Sequence, residues 1–150
     1  MFRGANAINL DAKGRMMIPA KARSRLAEVC TGELVITRHL TDPCLLLYPL
    51  STWEEVEARI DALPGTSAVN RTIKRRLIGH AAEVDMDASG RVLLPPLLRE
   101  IAELEKQIIL VGQGKSFEIW DEARWQSRID QDMADEQEFE DSVAELDLVF

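Results

Sequence analysis

Residues 10–19, LDAKGRMMIP, return as residues 86–95, MDASGRVLLP. Aligned without gaps, five of the ten positions are identical and four more exchange one apolar residue for another, leaving only Lys13 against Ser89. An offset of 76 residues in a chain of 150 means that one supersecondary unit is used twice, once in each half. The length is that of roughly one ordinary domain, so the halves are expected to share a single core. With 46% apolar and 29% charged residues the composition is globular.

Charge has to be read by segment, because a net charge of −8 at first argues against a nucleic-acid partner. Residues 1–40 carry +4 and residues 71–99 carry +3, whereas residues 41–70 carry −4 and residues 100–150 carry −11. Both positive segments contain a copy of the decapeptide. The acidity lies in an intervening helix and above all in the C-terminal stretch, so the total says little about the surface that the repeats present.

The same order of elements is expected in each half. Ile8 and Leu10 alternate with Asn9 as a short strand, and Met16-Met17-Ile18 forms a second that stops at Pro19, the two closing into a hairpin. AKARSRLAEV reads as a short helix with Ala22, Leu26 and Val29 on one face, and ELVITRHL and CLLLYPL read as strands. Ser51 with Glu54 three residues on is a capping box, opening a helix that aligns Trp53, Val56, Ile60 and Leu63. After PGTS at 64–67, AVNRTIKRRLIGHA is a helical bridge, and the order then repeats. AEVDMDASGRVLLP is the second hairpin, PLLREIAEL the short helix, QIILVG and SFEIW the strands, and residues 121–146 one long acidic helix. Trp53 and Trp125 take equivalent places in the closing helices and are expected in the core. The organisation is thus a first half over 1–63, a bridge over 64–80, a second half over 81–130 and an acidic helix or tail over 131–150.

The repeated D-x-x-G has a physical reason. Asp at the first position and Gly at the fourth suit a tight turn: Asp11 and Asp87 accept backbone N–H groups two residues on, and Gly14 and Gly90 supply a left-handed conformation. Arg15 and Arg91 are not required by such a turn. An Arg fixed beside a tight turn loses little entropy, and its planar fork suits phosphate or a guanine edge. Each also has a carboxylate close in sequence, so a structural ion pair with Asp11 or Asp87 is the alternative.

Other chemistries find less support. Cys30, His39, Cys44 and His80 show no zinc-ligand spacing, so no metal is expected. Two cysteines, no signal-like start and no apolar run near the length of a membrane span point to the cytoplasm. No nucleophile–base pair and no glycine-rich phosphate loop accompanies the Asp/Arg pairs, so the chain is not expected to be an enzyme.

MFRG at the start, LDAKGRMMIPAKAR, the run RTIKRRLIGHAAEVDMDASGRVLLPPLLRE and LVGQGKSFEIWDEARW together resemble the MraZ family of bacterial transcriptional regulators, two-copy members of the AbrB/SpoVT-type (swapped-hairpin) group. The resemblance covers roughly residues 1–130. It implies an α+β fold, a swapped-hairpin β-barrel made by two tandem pseudo-symmetric halves with flanking helices. It further implies a ring-shaped homo-oligomer, nucleoid-associated, binding repeated boxes of double-stranded DNA upstream of a division and cell-wall gene cluster, with no cofactor and no small-molecule substrate. Residue by residue, the DNA-contacting hairpin falls on Lys13 and Arg15 and on Arg91; Ser89 departs from the basic residue of the first copy. Arg3 is a further candidate contact, with Lys74-Arg75-Arg76 and with Lys21, Arg23 and Arg25 ranked below it, since helical cations often form only a wet face. The alternative is a protein-interaction module, as in antitoxin relatives of this fold, using the acidic C-terminal helix.

Overall fold

Strand β1 (Ala5–Asn9) enters the first turn and β2 (Arg15–Met17) leaves it, followed by helix α1 (Ala20–Val29), strands β3 (Glu33–Arg38) and β4 (Leu45–Pro49) and helix α2 (Leu50–Asp61). Helix α3 (Ala68–Leu77) leads into the same series again: β5 (Ala82–Asp85), β6 (Arg91–Leu93), α4 (Pro96–Ile101), β7 (Gln107–Gly112), β8 (Phe117–Asp121) and α5 (Glu122–Asp132). A last helix, α6 (Glu136–Glu145), has no counterpart in the first half. The computed structural model describes residues 1–149, and its class is α+β.

The strands beside each turn do not pair with each other, which corrects the local hairpins read from the sequence. β1 pairs antiparallel with β7 of the other half, with Ile8 opposite Ile108, and β5 pairs with β3, with Val84 opposite Leu34. β2 pairs only with β6, in a separate two-stranded ribbon. The main sheet runs β1-β7-β8-β4-β3-β5, so it is open, with β1 and β5 at its ends. The exchange has a packing reason. It sets Met16 opposite Val92, both fully buried, where a local hairpin would leave each half to cover its own short strand. One core results, drawn from both halves, in which Leu26, Ile36 and Leu47 meet Leu98, Leu110 and Ile119. Truncating one of these leucines to Ala would cost about 2–5 kcal/mol.

Three helices start at a proline. Pro19, Pro49 and Pro95 take φ of −55°, −58° and −56° with ψ near the strand value, at 143°, 143° and 136°. Proline's fixed φ suits a chain passing from extended backbone straight into a helix. At α2 this overrides the capping box: the helix begins at Leu50, Ser51 falls inside the first turn, and no side chain caps the end. Leu26 is buried as its spacing requires, but Val29, at the end of α1, is 53% exposed. Trp53 is buried against Tyr48, with ring centroids 5.5 Å apart. Trp125 stands in the equivalent place against Trp120, at 5.8 Å, but is only half-buried. The expected single acidic helix over 121–146 is two helices, broken between Met133 and Asp135. Asp135, at φ −132° and ψ 67°, is not helical, and α6 is exposed along nearly its whole length, so no packing holds it in line with α5.

Candidate nucleic-acid interface

Each turn is closed by its aspartate. In the first, Asp11 Oδ1 accepts the N–H groups of Lys13 and Arg15, both at 2.9 Å. Gly14 N–H donates to the Asp11 carbonyl, and Asp11 N–H to the Arg15 carbonyl, both at 3.0 Å. The second is the same: Asp87 Oδ1 accepts from Ser89 and Arg91 at 2.9 Å. Gly14 and Gly90 stand at φ +83° and +85°, a region in which any other residue but Asn or Asp is strained.

The remaining carboxylate oxygen holds the arginine. Arg15 Nε donates to Asp11 Oδ2 at 2.6 Å, and Arg91 Nε to Asp87 Oδ2 at 3.1 Å. The ion pair weighed from the sequence is therefore present in both copies. It uses one edge of each guanidinium; Nη1 and Nη2 of both arginines have no hydrogen-bond partner among the described residues. The backbone N–H bond from Arg15, with its side-chain bond and charge, holds the Asp11 carboxyl below the ordinary carboxylate range. The N–H of Arg91 does the same for Asp87. Both aspartates thus stay ionised at neutral pH and serve as clamp and orienter at once.

The ribbon brings the two arginines to one face. In its register Arg15 lies opposite Leu93, Met16 opposite Val92, and Met17 opposite Arg91. Met16 and Val92 point into the core, so Arg15, Met17, Arg91 and Leu93 share the outer face, where Met17 is 42% and Leu93 51% exposed. Arg15 and Arg91 are diagonal neighbours, with backbones about 7–8 Å apart for such positions. The outer face is therefore two oriented guanidinium groups flanking two exposed apolar side chains, with Lys13 exposed in the first turn.

The turns are locked by each other's half. Ile18 N–H donates to the Gly90 carbonyl at 2.9 Å, and Leu94 N–H to the Gly14 carbonyl at 3.1 Å. A Cβ built on Gly14 would stand 2.5 Å from Cζ of Arg99, and one on Gly90 2.5 Å from Cδ of Arg23. Arg99 Nε in turn donates to the Leu94 carbonyl at 3.1 Å, and Arg23 Nη1 to that of Ile18 at 2.9 Å. These two arginines roof the turns. Sequence reasoning passed over Arg99 and left Arg23 among helical surface cations. The signal was available, because Pro19 and Arg23 recur as Pro95 and Arg99 at the same offset of 76.

The other candidates lie elsewhere. Arg3 precedes β1, at the opposite end of that strand from the turn, roughly 20 Å or more away at 3.3 Å per residue, so the fold does not bring it to Arg15. Lys74, Arg75 and Arg76 bond to the Asp61 carbonyl, the Thr72 hydroxyl and the Leu40 carbonyl, at 3.3, 3.3 and 3.0 Å. Arg25 bonds to the Met1 carbonyl at 3.1 Å. Cys44 is buried, while His39 faces Glu118 and Asp42 at 3.8 and 4.0 Å. Among the described residues no three His, Cys, Asp or Glu side chains form a metal-holding group, and no helix is long and apolar enough to cross a membrane.

An α+β chain built from two exchanged copies, presenting a paired D-x-x-G-R ribbon, defines a class of two-repeat proteins. The chain belongs to the MraZ family: the family described as "MraZ protein, putative antitoxin-like" matches it twice, over residues 1–76 and 77–149. Among its relatives, a protein of Pseudoalteromonas atlantica is 55% identical over 138 residues, covering 92% of this chain and 91% of the relative. One of Halorhodospira halophila is 52% identical over 128 residues, covering 85% and 84%. One of Pseudomonas putida is 48% identical over 134 residues, covering 89% of each. All three are named transcriptional regulator MraZ.

Proposed function

We propose that this protein is a DNA-binding transcriptional regulator whose reading head is the outer face of the β2–β6 ribbon. The observation that carries the proposal is the orientation of Arg15 and Arg91. Each is fixed through Nε by its own aspartate and keeps two Nη groups unengaged on the exposed side of the ribbon. A guanidinium held in this way is pre-set for two-point bonding to a phosphate or to the O6 and N7 of guanine. Met17 and Leu93 between them offer apolar contact, as to a thymine methyl. Lys13 adds a phosphate contact on the first copy.

One ribbon supplies few cations, and a few phosphate contacts give weak, salt-sensitive binding, so useful affinity comes from several copies engaging linked boxes. The reading therefore includes a homo-oligomeric ring of swapped-hairpin protomers, nucleoid-associated in the cytoplasm. It acts on repeated boxes upstream of a division and cell-wall gene cluster. The test is DNA affinity on the chain's own upstream sequence, at several salt concentrations, for wild type and Arg15→Ala. Wild type is expected to bind with a clear salt slope and Arg15→Ala to lose most of that binding while melting normally. An Arg15→Ala protein with wild-type affinity and salt slope sinks the assignment.

A further inference from the structure

At the end of β1 away from the turn, Arg3, Lys21 and Arg25 line one cavity of about 300 Å3 with Asn6, Pro19 and Phe117, and no carboxylate is in its wall. None of the three cations lies within salt-bridge distance of a carboxylate among the described residues. Beside it, Met1 and Val29 leave 68% and 53% of their surface exposed around a neighbouring hollow whose charged lining is balanced, Arg25 and Lys115 against Glu28 and Glu55. The first cavity is cationic, the second is charge-balanced with an apolar rim, and both are open among the described residues.

The C-terminal helix has the opposite character. Phe139 and Val143 on α6 and Leu146 at its C-cap recur at i, i+4 and i+7, a single apolar stripe, and Phe139 and Leu146 are 60% and 65% exposed. The rest of the helix holds five carboxylates, Glu136, Glu138, Glu140, Asp141 and Glu145, and no cation. Ten residues are too few for a stable helix in water without a surface to pack on.

We propose that the Arg3–Lys21–Arg25 groove of one copy receives helix α6 of a second copy, its apolar stripe against Met1 and Val29 and its carboxylates against the three cations. Groove and helix are different patches, so the contact is head-to-tail, and such contacts propagate until a ring closes. The inference rests on the homo-oligomer reading and names what holds it together.

Charge exchange tests it, with light scattering at micromolar concentration as the readout. Arg3→Glu with Lys21→Glu reverses the groove; Glu138→Lys with Glu140→Lys reverses both flanks of the stripe. Each pair alone is expected to weaken association at least tenfold, shifting mass toward the 16.9 kDa protomer, and the chain carrying all four changes is expected to recover the wild-type mass. Melting by circular dichroism checks that each variant folds. If a reversal misfolds, the milder Arg3→Gln with Lys21→Gln takes its place, with the same expected fall in mass. Wild-type mass in either folded pair, or no recovery in the fourfold variant, overturns the proposal. So does a groove variant that keeps its mass but loses DNA affinity, which would assign these cations to phosphate. A wild type that runs as a protomer removes this interface while leaving the Arg15 test on a single DNA box intact.

Discussion

The first turn, Asp11 to Arg15, and the second, Asp87 to Arg91, share their aspartate and glycine hydrogen bonds and a left-handed glycine, yet they hold their arginines differently. Arg15 sits 2.6 Å from its aspartate with 27% of its side chain exposed; Arg91 sits at 3.1 Å with 34% exposed. Lys13 stands in the first turn where Ser89 stands in the second. The backbone is dictated by Asp and Gly, which both copies keep. Divergence falls on the third position, which closes no bond with its side chain, so charge there is free to follow binding rather than folding.

That difference predicts unequal arginines. Arg15→Ala is expected to lower DNA affinity by roughly a hundredfold, since a good guanidinium contact is worth about 1–3 kcal/mol and every engaged copy loses it at once. Arg91→Ala should lose clearly less, because its partner is looser and no lysine stands beside it. Neither should move stability by more than about 1 kcal/mol, the upper end for a partly exposed ion pair. Titrations of both variants beside wild type, with melting in parallel, read the asymmetry. Equal losses would show that the ribbon is used as a symmetric pair despite its unequal turns.

Where the copies are alike, the effects should be alike. Gly14→Ala meets the left-handed φ and displaces Arg99 from the Leu94 carbonyl; Gly90→Ala does the same to Arg23 and Ile18. Each is expected to cost about 2 kcal/mol, one part backbone strain and one part lost hydrogen bond. In a chain of this size that is a fall in Tm of roughly 4–8 °C. Calorimetry of both variants checks it, and a gap above about 1 kcal/mol between them would mean that the two roofs are not equivalent.

Much of this was legible in the sequence, and the failures have physical causes. The repeat, the order of strands and short helices, and the turn chemistry all follow from local rules that the chain obeys. The exchange of strands between halves was implied by the family resemblance but was not legible in the local pattern, which suggested two hairpins. Alternation of Ile8 and Leu10 says which face is buried, not whether the neighbour is Met16 nearby or Ile108 far away. Ser51 and Glu54 satisfied a capping pattern, but Pro49 had already turned the strand into the helix two residues earlier. The break at Met133–Asp135 lay hidden because no Pro or Gly marks it and acidic residues continue on both sides. At the candidate site, the turn residues were readable, whereas the roofing arginines looked like ordinary helical cations until the fold set each over the other half's glycine.

Acid should weaken both turns. Asp11 and Asp87 are held below the ordinary carboxylate range in the folded chain, so the unfolded chain binds protons first as pH falls. Their stabilisation is complete above the ordinary carboxylate pKa and is lost as pH falls from there through the folded values. Melting followed from about pH 6 down to pH 3 should therefore decline for wild type and decline less for Asp11→Asn with Asp87→Asn, which has no charge to lose. A double variant with the wild-type slope would place the acid sensitivity elsewhere in the molecule.

The smallest expected effect tests the asymmetry most directly. Ser89→Lys gives the second turn the cation that the first already has, at an exposed position whose side chain makes no bond in the structure, while its N–H still donates to Asp87. Stability should not change. If Lys13 contacts phosphate from the third position of its turn, a lysine at 89 reaches the equivalent phosphate on the other side of the ribbon. Affinity should then rise a few-fold, and the dependence of log affinity on log salt should steepen by about 0.9 for each new contact. Lys13→Ser makes the mirror change, and the two together should return close to the wild-type slope with the cation moved from one turn to the other. If Ser89→Lys leaves both affinity and slope unchanged while Lys13→Ser reduces them, the second turn does not approach the phosphate backbone. The ribbon then reads DNA from its first copy, with Arg91 bound to Asp87 as a structural pair alone.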